Sequence, residues 1–289
     1  MKQIKRFFLS NWAYFLWFAF YFTIAWLMFG GNLKSLVIVL ILYAVSLSIA
    51  LSPLGEILLR FMENCRKPAT EKEINYLSPI FEEVYQKAIE ENPKLNKNIK
   101  LYIMDAMYVN AFAIGSKTIA VTQGAVETFS RDELKGIIAH EFGHINYGHT
   151  RALLLTYVGN MIFSALVFIL HLILILLQTI SLIFTTRNIM NIIFYLLTSL
   201  FKALFLVSLF LFVNVGDIIL AFNSRAKEKE ADTFAHTVGF GKQLIQSLYI
   251  LQKISMNKKA KLSERLKATH PHTAYRIQHL ESLETKEEE

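Results

Sequence analysis

The chain has 289 residues, a formal net charge of +7 and 54% hydrophobic residues, among them 23 phenylalanines. That apolar content is heavy for a soluble domain, and a single cysteine, Cys65, excludes an internal disulfide framework and fits a reducing compartment. The positive balance does not point to nucleic acid, because the basic residues sit mostly beside long apolar runs, where the positive-inside rule places them.

In chain order, the first apolar run spans about Trp12 to Phe29 and the second about Leu33 to Leu51, with only "GGN" between them. Each has about the 20 residues that cross a bilayer, so residues 1–59 read as a transmembrane hairpin. No small-residue cleavage site follows the first run, which argues against a cleaved signal peptide. Residues 60–151 read as a mixed α and β domain. Thr70 with Glu73 makes a capping-box pattern, followed by Ile74, Leu77, Phe81, Val84 and Ala88 at helical spacing. Pro79 either kinks that helix or opens a second one. "IKLYIMD", "VNAFAIG" and "KTIAVTQG" read as three strands, the last two each closed by a glycine. Ser130 with Glu133 is a second capping box, opening a helix that runs through "AHEFGHINYGH".

A third apolar run starts near Ala152 and extends to about Leu177, and a fourth is expected from Ala203 to Phe222 with Lys202 at its outer end. Residues 152–222 thus read as a second transmembrane hairpin, four membrane helices in all. Residues 223–289 read as helical, with "SRAKEKEADTFAHTVG" ending at Gly239, a second helix "GKQLIQSLYILQKIS", a basic loop "NKKAKLSERLKATHPH" and a solvated, disordered acidic tail "ESLETKEEE". Lys2, Lys5, Arg6, Arg60, Arg66, Lys67, Arg225, Lys227 and Lys229 flank one face of these runs, against Lys34, Arg187 and Lys202 on the other. That asymmetry predicts both termini and residues 60–151 in the cytoplasm.

His140 and His144 lie four apart on the predicted helix, so both imidazoles share a face and can bind one zinc ion. Glu141, beside the first of them, is placed to act as general base toward water. Gly143 costs about 1 kcal/mol in a helix interior, which implies that another element approaches closely there. A catalytic zinc needs a third protein ligand. Glu228, Glu230, Asp232, His149, His236, His270, His272 and His279 are the candidates. Because the chain re-emerges near Phe222 on the face it left, a ligand soon after that point is brought back beside the motif. Glu228 and Asp232 share a helix face; one can bind metal while the other orients a ligand histidine, and spacing does not say which. Glu230 reads as a solvated carboxylate turned away from that face.

"AHEFGHINYGH", "SRAKEKEAD" and "THPHTAYRI", in that order around a membrane hairpin, resemble the HtpX family of membrane zinc metallopeptidases, with the CAAX prenyl proteases as more distant relatives. The resemblance implies a mainly α membrane protein carrying a small mixed α+β zincin-like domain, with one zinc per chain. It implies His140, His144 and Glu228 as ligands, Glu141 as general base and Asp232 as the ligand's hydrogen-bond partner. It implies His270 and Arg276 as stabilisers of the oxyanion, and Asn110, Ala111, Phe112 and Ala113 as an edge strand pairing with substrate backbone. The chain departs from the family with His272 where H-P-P is usual and Tyr275 where an acidic residue usually precedes the arginine. The implied function is a bacterial inner-membrane endopeptidase acting on proteins or peptides, membrane proteins above all, in quality control. The alternatives are a prenyl-protein endoprotease, which has more membrane helices, and a non-enzymatic membrane adaptor, which has no use for Glu141.

Overall fold

A computed structural model describes residues 12–184, 189, 192–203, 206–207, 224–256 and 273–288. Helices α1 (Trp12–Met28) and α2 (Leu33–Leu51) form the first hairpin. Asn32 closes the turn between them, its side chain accepting from the Ser35 amide while Ser35 Oγ accepts from the Asn32 amide. The two helices are built inside out. Small or polar groups at Ala13, Ala25, Ser35, Ser46 and Ala50 face inward together with Trp17, Val39 and Tyr43, while Leu16, Leu27, Leu33, Leu40 and Leu51 point outward. An exposed apolar belt around an interface that includes small and polar residues fits helices solvated by lipid. α2 is long and apolar enough to cross a membrane; α1 and the segments Ser164–Ile180 and Ile192–Ala203 are apolar but shorter. The expected fourth span at Ala203–Phe222 lies largely outside the described residues.

Ser52 ends α2 and caps α3 (Pro53–Met62), whose Pro53 suits the first helical turn. Next come β1 (Cys65–Arg66), α4 (Glu71–Glu91), β2 (Lys100–Met104), β3 (Ala111–Ile114), β4 (Thr118–Thr122), α5 (Gln123–Thr128) and α6 (Arg131–Asn146). Both capping boxes form as their sequence patterns predict, at Thr70 and Ser130. α4 runs unbroken through Pro79. The sheet order is β1-β2-β4-β3, with β2 parallel to β4 and the other pairs antiparallel. Only β3 ends at a glycine, Gly115 (φ 59°). β4 instead runs into Thr122, whose hydroxyl accepts from the Ala125 amide and starts α5.

The buried face of α4, the sheet and the nearly fully buried α6 make one core. Glu56 of α3, itself buried, ties the base of the hairpin to the β3–β4 turn: it accepts from the Ser116 amide at 2.7 Å, and a side chain at Gly115 would collide with its carboxylate. Edge strand, hairpin base and motif helix are therefore mutually fixed.

The third apolar run is not one helix. Left-handed Gly148 (φ 73°) separates α6 from α7 (His149–Gly159), and Asn160 separates α7 from α8 (Met161–Phe184). Ala152, Leu154 and Val158 are buried, because α7 packs on α2 and the hairpin. Tyr43 donates to Asn160 Oδ1 (3.1 Å), and Ser46 donates to the Val158 carbonyl (3.1 Å), satisfying polar groups where the helix breaks. Beyond, α8 meets α9 (Ile192–Ala203). Lys202 donates to Gln178 Oε1 (2.8 Å) and Gln178 donates to Ser199 (2.9 Å), so the lysine head is bonded to the neighbouring helix.

α10 (Ser224–Thr237), α11 (Gly241–Met256) and α12 (Thr273–Glu288) complete the fold. The tail expected to be disordered is helical to Glu288. Tyr249 of α11 donates to Glu281 (2.8 Å), Glu284 faces His236 of α10 (3.0 Å), and Leu280 is fully buried. Its charges are one face of a packed helix rather than a solvated run.

Candidate metal centre

Two glycines on α6 decide what reaches it. Gly136 and Gly143 are seven residues apart, hence on one side of the helix. A Cβ at Gly143 would lie 2.7 Å from the Ala231 Cα of α10, and one at Gly136 would strike the backbone of α11 at Leu244. Glycine is what allows α10 to lie on α6, and α10 carries Glu228 and Asp232.

The result is a buried triangle. His140 Nε2 and His144 Nε2 are 3.1 Å apart, one oxygen of Glu228 is 3.3 Å from His140 Nε2, and its other oxygen is 3.4 Å from His144 Nε2. All three residues are buried. Zinc bonds of about 2.0–2.1 Å at tetrahedral angles put ligand atoms about 3.3 Å apart, so the donor set fits zinc in type and in spacing. Asp232 is wholly buried and accepts from His140 Nδ1 at 2.9 Å. That bond fixes the tautomer in which Nε2 offers its lone pair to the centre of the triangle.

A model of Peptidase family M48 matches residues 71–284, most of the chain. The chain belongs to Peptidase family M48. Similar curated proteins include a Protease HtpX homolog of Helicobacter acinonychis, 48% identical over 65 residues that make up 21% of each chain. Another Protease HtpX homolog, from Thermoanaerobacter pseudethanolicus, is 36% identical over 135 residues, 44% of this chain and 39% of that one. The aligned stretches thus span about a fifth to two fifths of these relatives' length. Among solved structures, Ste24p of S. mikatae covers 91% of this chain and 62% of its own at 18% identity, with a TM-score of 0.49.

In this M48 chain Glu141 is buried beside His140 on α6 and close enough to Arg276 to strengthen that residue's charge. Arg276 of α12 is buried too. Its Nε and Nη2 donate to Asp232 (3.0 and 2.7 Å), and its Nη1 lies 3.0 Å from Glu228. The oxyanion role implied for it is joined here by another task, balancing the two carboxylates that serve the triangle. Ala111, Phe112 and Ala113 lie on β3, the sheet edge next to α6, and Asn110 precedes the strand with its amide donating to Thr122 Oγ1 (3.0 Å). His270 lies outside the described residues.

The electrostatics favour a cation. Burial drops the His144 pKa to about 3, against the pull of Glu228, so its imidazole is neutral. Burial and Arg276 also work against a charged His140, yet Asp232 and Glu228 prevail and hold it up at about 9, so zinc would have to take the place of a proton on Nε2. Burial likewise opposes charge on Arg276, while Asp232, Glu228 and Glu141 keep it above its ordinary value.

Three residues take places that the sequence did not give them. His149, one of the candidates for third ligand, is instead buried with Nδ1 3.0 Å from His144 Nδ1. Glu230, expected to be solvated, meets His149 Nε2 at 3.0 Å. Lys227 is buried with its ammonium 3.5 Å from the centroid of the Tyr14 ring, joining α10 to the first hairpin, and burial pushes its pKa down to about 7. The only sequence hint was His149 itself, five residues past His144. A continuous helix turns such a pair about 140° apart, so the contact depends on the left-handed Gly148.

Proposed function

We propose that the chain is a zinc metalloendopeptidase of the inner membrane, with its active site at the cytoplasmic surface. It cleaves membrane proteins, and soluble ones that reach it, as part of protein quality control. The observation that carries the reading is the buried triangle of His140, His144 and Glu228 with Glu141 beside it. Zinc held there supplies Lewis-acid polarisation of the scissile carbonyl and acidifies water. Glu141 takes a proton from the attacking water as its oxygen bonds to the carbonyl carbon. The same carboxyl then delivers that proton to the departing amine as the C–N bond breaks. Arg276 and His270 offer donors to the negative charge that builds on the carbonyl oxygen. β3 binds substrate backbone by strand addition, which tolerates many sequences and suits a quality-control protease. Burial of the donor triangle in a folded domain keeps bulk water out of the reacting centre.

Metal removal tests the activity. The purified protein is expected to contain zinc and cleave casein, to lose cleavage on treatment with 1,10-phenanthroline, and to regain it on addition of zinc. Cleavage at an unchanged rate after complete removal of metal would defeat the reading.

Orientation is tested separately. Cys65 is a poor reporter, because burial pushes its thiol up to about 11, so it reacts slowly from either side. Lys34 in the first turn of α2, next to the hairpin turn, and Lys97 before β2 are exposed. In a Cys65→Ser background, a membrane-impermeant thiol reagent applied to intact cells should label Lys34→Cys and miss Lys97→Cys. The reverse pattern would invert the topology.

A further inference from the structure

Each ligand histidine has a second ring nitrogen that must be held. Asp232 holds that of His140 directly. His144 points its Nδ1 at His149 Nδ1 (3.0 Å), and His149 points its Nε2 at Glu230 Oε2 (3.0 Å). We propose that His149 and Glu230 form a positioning relay for the metal ligand His144, in which Glu230 fixes the tautomer of His149 and His149 fixes that of His144. The proposal rests on reading His140, His144 and Glu228 as a metal site.

The hydrogen bookkeeping allows one arrangement when His144 Nε2 faces the metal. A carboxylate only accepts, so His149 donates from Nε2 to Glu230. His149 Nδ1 is then a lone pair, which accepts from His144 Nδ1–H. That leaves His144 Nε2 as a lone pair aimed at the triangle. Were His149 the other tautomer, its Nδ1–H would face His144 Nδ1, forcing the proton of His144 onto Nε2, where it blocks metal. The carboxylate at the far end therefore sets which nitrogen of His144 can bind.

The backbone is shaped for this contact. Gly148 is left-handed (φ 73°), a conformation that glycine adopts without steric cost, and it breaks the helix just before His149. Glu230 lies about 200° round the helix from Glu228, and His149 meets it there. His149 is 4% exposed, so its ring orientation is set by packing and by these two bonds.

The test measures metal affinity by chelator competition, the visible spectrum of the cobalt(II)-substituted protein, and the thermal stability of the metal-free protein. Glu230→Ala removes only a partly exposed side chain and is expected to fold with unchanged metal-free stability. Its metal affinity should fall about 10–100-fold, and its cobalt spectrum should shift as the geometry at His144 loosens. Glu230→Gln, whose amide oxygen still accepts from His149, should recover most of the affinity. His149→Ala should lose as much as Glu230→Ala, and the double variant no more, because the two act in series. Wild-type affinity and spectrum in Glu230→Ala would overturn the relay while leaving the metal site standing. So would an affinity loss matched by an equal loss of metal-free stability. Failure of wild type to bind zinc or cobalt would overturn the site and the relay together.

Discussion

Glu141→Gln is expected to keep its zinc and lose its proteolysis. Glutamine has the same shape, so the buried pocket on α6 keeps its packing. The three donors that make the triangle are elsewhere, on His140, His144 and Glu228, so metal content should match wild type. What disappears is a group able to carry a proton, a role worth about 10²–10⁴-fold in rate. The charge balance also survives. Arg276 keeps Asp232 and Glu228 as partners, the two carboxylates within hydrogen-bonding distance of it. Metal analysis and casein cleavage on the same preparation decide it. Normal folding with lost zinc would make Glu141 a ligand; cleavage within about tenfold of wild type would remove it as the base.

What the sequence could and could not reveal follows from the range of the interactions. The capping boxes at Thr70 and Ser130, the amphipathic face of α4 and the two apolar runs of the first hairpin are written in neighbouring residues, and they are present in the fold. Gly143 was legible for a similar reason: its cost in a helix implied a close neighbour, and Ala231 is that neighbour. The misreadings arose where distant parts of the chain meet. The tail "ESLETKEEE" looks solvated until Tyr249 and His236 are brought to it from α11 and α10. The third apolar run looks continuous until Tyr43 and Ser46 of α2 supply the bonds that let it break at Asn160. The partnership of His149 with Glu230 spans 81 residues and depends on one left-handed glycine. Local pattern carries none of this.

The second large effect separates ligand from support. Glu228→Ala is expected to fold and to purify nearly free of zinc, because it removes one of three donors while Asp232 still pairs with Arg276 through both Nε and Nη2. Asp232→Ala should behave differently. It takes the acceptor from His140 Nδ1, which typically costs about 10–100-fold in metal affinity. It also leaves the buried guanidinium of Arg276 with Glu228 as its remaining carboxylate partner within hydrogen-bonding distance. Removing one partner of a buried ion pair costs about 3–5 kcal/mol, and here Glu228 offsets part of that. Zinc content and metal-free melting temperature should therefore move in opposite order. Glu228→Ala loses more metal and Asp232→Ala loses more stability. Metal analysis beside thermal unfolding of both variants reads the two effects apart. A zinc-replete, active Glu228→Ala protein would remove Glu228 from the ligand set. If Asp232→Ala instead came out metal-free at wild-type stability, the two carboxylates would have to exchange roles.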